Sequence, residues 1–191
     1  MSLFVKIIVH MEFALRKKIS GTKIVATRKR LKLTQEEFAN FCGVSRKTIQ
    51  RFENSDEVSG EIVTIIDILN KKGDLLDELV VPSMSNDFPI RLYYYKEDIL
   101  CTTIDVDEIN QRVKIKNYGV VYSDCAFGNN QHPSYLDYLD FLKSRCFPEE
   151  RDKMKLLLSD LNLPFYDPFM IIEKTKGRMA EDDYWIDIKR I

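Results

Sequence analysis

The chain has 191 residues, enough for one ordinary domain or two small ones. Its 45% hydrophobic and 31% charged content excludes disordered and fibrous classes. No apolar run approaches the roughly 20 residues that span a bilayer. The net charge of −1 conceals an asymmetry: from Arg16 to Arg51 eleven Lys or Arg stand against Glu36 and Glu37, a local +9 that leaves −10 for the rest. A basic head on an acidic body predicts a polyanionic partner at one end.

In chain order, "MSLFVKIIVHMEF" has an apolar run of only about five residues and no small-residue cleavage site, so a cytoplasmic protein is expected. Residues 1–20 read as an N-terminal extension in which "LFVKIIV" suits a strand or a helix. Residues 21–82 read as consecutive short helices. Ile24, Leu31, Phe38, Phe41, Ile49, Phe52, Ile62, Ile65, Ile66 and Leu69 recur at spacings of three, four or seven. Residues 83–89, in "VPSMSNDFP", form a polar linker between prolines. Residues 90–191 change to an α+β pattern. "IRLYYYKEDILCTTIDVD" predicts a hairpin, "RVKIKN" a half-exposed strand, and "YGVVYS" its continuation in the sheet. "YLDYLDFLKSR" and "ERDKMKLLLSDL" predict amphipathic helices, the second beginning just after Pro148. "DPFMIIEKTKGR" predicts a third, started at Pro168 and stopped at Gly177. "DYWIDIKRI" predicts a closing strand. The fold class expected is α+β: an all-α domain, then an antiparallel sheet with three helices.

Few residues carry defensible site chemistry outside the basic head. Cys42, Cys101, Cys125 and Cys146 form no CxxC pair, and only His10 and His132 could join them, so buried free thiols are expected and neither a zinc site nor a disulfide framework. No cofactor or metal is expected. His132 sits in a loop before Pro133. Glu181, Asp182, Asp183 and Asp187 could hold a hard cation but read as solvated acids. Strand alternation makes Tyr94, or else Tyr93 and Tyr95, core. No phosphate loop, H-E-x-x-H or G-x-S-x-G is present, and no enzyme is expected.

"LTQEEFANFCGVSRKTIQRFE" is the informative stretch. Thr34 and Glu37 form a capping box that starts a helix. The helix ends at Cys42 and Gly43, and Ser45 can cap the next one. Helix, short glycine turn and helix make a helix-turn-helix pattern. At about 100° per residue, Arg46, Lys47, Gln50 and Arg51 share one face of the second helix, opposite Ile49, Phe52 and Thr48. Arg and Lys can donate to guanine O6 and N7, and Gln can pair with adenine, so this ridge suits a major groove.

The segment resembles a Cro/C1-type (XRE-type) helix-turn-helix domain over residues 22–81, through the pattern R-x-x-x-x-L-T-Q-x-x-F-A-x-x-x-G-V-S-x-x-x-I-x-x-x-E. The resemblance implies base reading by Arg46, Lys47 and Gln50. It implies phosphate contacts from Gln35, with Ser45, Thr48 and Arg51 beside it, and a structural Arg28–Glu53 pair. It also implies a homodimer on a palindromic double-stranded operator. Lys32 departs from the usual glycine, and "ENSDEVS" lacks the usual Gly and Pro, which predicts a different approach to the fourth helix.

The second half resembles the N-terminal subdomain of HipA-type serine/threonine kinases. The residues that carry this are Phe147, Pro148 and Arg151, then Asp167, Pro168, Phe169, Ile171, Ile172, Gly177 and Arg178; Arg145 and Cys146 stand where leucines are usual, and Met179 replaces an acid. The resemblance implies an antitoxin-like repressor (HipB-like) that restrains a HipA-like kinase toxin supplied as a separate chain. The alternative is a one-component regulator whose C-terminal domain senses a ligand.

Overall fold

The computed structural model describes residues 14–119 and 121–191. The expectation for "LFVKIIV" lies outside them. The chain divides into two compact units, Met1–Val80 and Val81–Ile191.

The first unit holds β1 (Lys18–Ile19), α1 (Gly21–Arg30), α2 (Gln35–Phe41), α3 (Arg46–Glu53), β2 (Val58–Ser59), α4 (Glu61–Lys71) and α5 (Leu75–Leu79). Its core is the helical periodicity made solid: Ile24, Phe38, Ile49 and Ile66 are fully enclosed, and Leu31, Phe41, Phe52 and Ile65 pack around them. Gly21 lets α1 start against the end of α3. A Cβ there would lie 2.3 Å from the Phe52 carbonyl oxygen, and the Gly21 amide donates to Ser55 O at 2.9 Å.

One boundary differs from expectation. Lys18 and Ile19 pair antiparallel with Ser59 and Val58, and Ile19 is buried, so residues 18–20 belong to the helical unit and not to an extension. That small ribbon replaces the missing Gly-Pro route into α4, which begins after Gly60. Lys32 adopts φ +57, the left-handed conformation that explains why glycine is usual there.

The second unit holds β3 (Ile90–Lys96), β4 (Ile99–Asp107), β5 (Arg112–Asn117), α6 (Tyr135–Ser144), α7 (Met154–Asp160), α8 (Pro168–Thr175) and β6 (Tyr184–Arg190). The antiparallel sheet has order β5-β4-β3-β6. Leu92, Ile104, Val106 and Ile186 on one sheet face meet Tyr138, Leu142, Ile171 and Ile172 from α6 and α8. Tyr94 belongs to this core, so Tyr93 and Tyr95 point to the other face.

Three sequence expectations need correction here. The described residues of "YGVVYS" do not extend the sheet: the amides of Tyr118 and Gly119 both donate to Cys101 O, and Tyr122–Asp124 form a 3-10 turn. The α7 helix begins at Met154 and not just after Pro148, because Lys153 at φ +63 breaks the path into it. Residues 83–89 are not a free linker. Ser85 bridges Phe88, Arg112 Nη2 donates to Asp87 O at 3.3 Å, and Arg91 Nη1 donates to Pro82 O, which ties the segment to the sheet.

Arg145, a residue out of place in the sequence pattern, is the internal clamp of this unit. It donates to Gly177 O from Nε and Nη2 (3.1 and 2.7 Å), to Asp182 from Nη1 and Nη2 (2.6 and 3.0 Å) and to Tyr184 O (3.1 Å). These bonds fasten the end of α6 to the turn after α8 and the start of β6. Gly177 sits at φ +59, and a Cβ there would come within 3.2 Å of Ile186 Cδ1.

Arg145→Met keeps the volume but strips Asp182 and two carbonyls of their donors, and should cost about 2–4 kcal/mol. Gly177→Ala should cost about 1–2 kcal/mol through backbone strain. Urea unfolding followed by the fluorescence of Trp185, the chain's single tryptophan, reads both.

Candidate nucleic-acid interface

The turn geometry starts with caps. The Glu37 amide donates to Thr34 Oγ1 at 3.2 Å and the Thr34 amide to Glu37 Oε2 at 2.7 Å, closing the capping box. Gly43 turns the chain at φ +65. Ser45 Oγ then accepts from the Thr48 amide at 3.2 Å and starts α3. With Ile49 buried beneath, Arg46, Lys47, Gln50 and Arg51 are exposed. Ser45, Lys47, Thr48, Gln50, Arg51 and Asn54 line a shallow depression of about 420 Å³. Arg46 is exposed on the same helix without lining it. Arg51 lies over the Phe52 ring at 5.4 Å, which steadies its guanidinium. Thr48 is half-buried at the margin of this face. Asn54 was missed from sequence; its spacing of seven from Lys47 was the available signal.

Three residues hold this face in place. Arg28 donates to Glu53 through Nε and Nη2 (2.6 and 3.3 Å) and to Leu33 O through Nη1 (3.0 Å). Gln35 Nε2 donates to Glu53 Oε2 at 2.7 Å. The buried Glu53 carboxylate thus ties together α1, the turn before α2, the start of α2 and the end of α3. Burial alone would raise its pKa. The hydrogen bonds from Arg28 and Gln35, with the charges of Arg28 and Lys29, outweigh burial and hold it below the ordinary value of 4.5. The bond from Gln35 was not foreseen. It leaves that amide one further hydrogen to donate.

Residues 24–68 match the family model described as helix-turn-helix (HTH_3). They form a Cro/C1-type helix-turn-helix domain. The protein is accordingly a DNA-binding transcriptional regulator. No curated protein and no solved structure matches the chain.

The other candidate residues do not converge. Among the described residues no three His, Cys, Asp or Glu gather as a metal site. Asp182 is not a solvated acid: it pairs with Arg145, and Asp187 lies 3.6 Å from Lys176 Nζ, while Glu181 and Asp183 are exposed. His132 is an exposed loop residue. All four cysteines are free; burial raises the thiol pKa of Cys42 to about 11 and of Cys146 to about 12. Among the described residues no helix is long and apolar enough to cross a membrane.

Because the folded pKa of Glu53 is depressed, its stabilisation is complete above about pH 4.5 and is lost as pH falls through the folded value. Helical circular dichroism of the intact chain should show acid destabilisation in that range. Glu53→Gln should flatten this dependence and cost about 1–3 kcal/mol at neutral pH.

Proposed function

We propose that the first unit represses transcription as a homodimer on a palindromic operator. Arg46, Lys47 and Gln50 read base edges, while Gln35, Ser45, Thr48 and Arg51 hold phosphates. The observation that carries this is the exposed, donor-rich edge of α3, capped by Ser45 and anchored through Glu53. A single such domain buries under ~1,000 Å² of DNA-facing surface and binds weakly, so two copies are required. Ile68 on α4 and Leu79 on α5, 41% and 50% exposed, supply apolar surface suited to a second copy.

The second unit acts on a partner, not on a substrate. We take it to restrain a HipA-like kinase encoded as a separate chain, which makes the protein an antitoxin of the HipB type. The element order supports this, and so do the jobs of the motif residues. Asp167 caps α8 by accepting from the Met170 amide at 2.8 Å, Pro168 opens the helix, Ile171 and Ile172 are enclosed, and Gly177 takes the left-handed turn. By linkage, a kinase that prefers the DNA-bound dimer tightens operator binding by the same factor.

One observation favours a second reading, a ligand-sensing module. The Tyr138 hydroxyl is buried without a hydrogen-bond partner among the described residues. Its residue lines a cavity of about 230 Å³ with Glu108, Tyr135, Lys143, Asp167 and Phe169. Release of operator by a small molecule without any protein partner is the outcome that would favour this reading.

Arg46→Ala, Lys47→Ala and Gln50→Ala should each cost about 1–3 kcal/mol on the correct operator and relax preference at one base position. Gln35→Ala should weaken all duplexes alike, and affinity should fall steeply with salt. Fluorescence anisotropy with operator and scrambled duplexes measures these effects. Unchanged operator affinity in both Arg46→Ala and Lys47→Ala would remove α3 as the reading element.

A further inference from the structure

The sheet of the second unit has two unlike faces. Helices α6 and α8 cover one. The opposite face follows from the register. One row runs Lys114, Asp105, Arg91 and Lys189; the next runs Lys116, Thr103, Tyr93 and Asp187; the last sets Tyr95 beside Trp185. The residue 82 end of the tethered segment closes over Arg91, which is 2% exposed. At the other end Tyr95 and Trp185 stack at 4.4 Å, half-buried. Lys176 and Arg178 lie over Trp185 at 5.4 and 5.3 Å, and Lys189 lies over Tyr93 at 4.9 Å.

Charge on this face runs against the unit that carries it. Residues 81–191 contain 15 Lys or Arg and 19 Asp or Glu, a net −4. The face gathers seven cations (Arg91, Arg112, Lys114, Lys116, Lys176, Arg178 and Lys189) against three acids, Asp105, Asp107 and Asp187, of which Asp105 is paired with Arg91, Asp107 with Arg112 and Asp187 with Lys176. The rings fix several of these cations in place, which lowers the entropy lost when a partner binds them. Tyr, Trp and Arg are the residue types on which interface energy concentrates.

We propose that this face docks an acidic patch on the surface of the partner protein. The inference rests on the proposed kinase partnership and names where the contact is made. A single-stranded nucleic acid fits less well. Tyr95 and Trp185 cover one another, and the cations over Trp185 and Tyr93 take up ring faces on which bases would stack.

The test uses the full chain and the HipA-like kinase of the proposed partnership as a separate purified chain, with binding followed by biolayer interferometry at two salt concentrations. The double variant Lys189→Glu with Arg178→Glu should bind the kinase at least ~10-fold more weakly, with operator binding and melting temperature preserved. Lys189→Arg with Arg178→Lys should retain binding, as should Lys155→Glu on exposed α7. If the double Glu variant binds the kinase as tightly as wild type, this face is not the docking surface and the kinase partnership stands. If wild type binds no kinase, the partnership and the inference both fall. Titration of Trp185 fluorescence with a 20-residue oligothymidylate should give no saturable quenching. Quenching that Lys189→Glu abolishes would overturn the proposal in favour of nucleic acid.

Discussion

The buried Glu53 carboxylate is the constraint on which the exposed edge of α3 depends. Taking a carboxylate out of water costs several kcal/mol unless its lone pairs are met. Here the fork of Arg28 meets both oxygens and Gln35 adds a second donor to one of them. Because the donors come from α1 and α2 and the acceptor ends α3, the bonds can all form only in one mutual arrangement of the three helices. Hydrophobic packing of Ile24, Phe38 and Ile49 holds those helices together without strongly fixing their rotation. The polar knot supplies the missing orientation, and the second helix of a helix-turn-helix tolerates little error in it.

The second unit solves a similar problem with the charges reversed. Arg145 is the buried ion, and its acceptors lie on the turn after α8 and at the start of β6. The last strand returns to the sheet beside β3, some 90 positions further along the chain, so nothing local specifies its register. A planar guanidinium that must satisfy Gly177, Asp182 and Tyr184 together fixes where β6 begins. The aromatic cation contacts on the outer face then inherit that register, since Trp185 meets Tyr95 only when Tyr184 is held.

How legible each part was follows from the range of its interactions. The capping box at Thr34 and Glu37, the left-handed Gly43 and the Ser45 cap act within four residues and could be read directly. The Arg28–Glu53 pair was legible only through family resemblance. The Gln35–Glu53 bond spans 18 positions and left no local trace. The two-residue strands β1 and β2 are shorter than any alternation that a pattern can register. Pro148 gave a false start for α7 because proline permits a helix to begin without requiring it, and the backbone at Lys153 turned the wrong way first. "YGVVYS" has strand-forming residues, yet two successive amides share one carbonyl and lead the chain off the sheet. Arg145 broke the expected apolar pattern. That mismatch was the visible mark of the clamp.

Two oppositely charged modules on one chain carry a consequence for control. The first unit bears +3, since the whole chain is −1 and residues 81–191 are −4. DNA therefore attracts the first unit and repels the bulk of the second, which discourages a long duplex from engaging both. Gathering about half of the second unit's 15 Lys and Arg on one sheet face gives it a directional attraction that its net charge opposes. A partner with a matching acidic patch could then gather there while the other unit keeps its operator. Any effect of that partner on DNA affinity must pass through a state of the protein that both ligands favour, because coupling between two sites requires one.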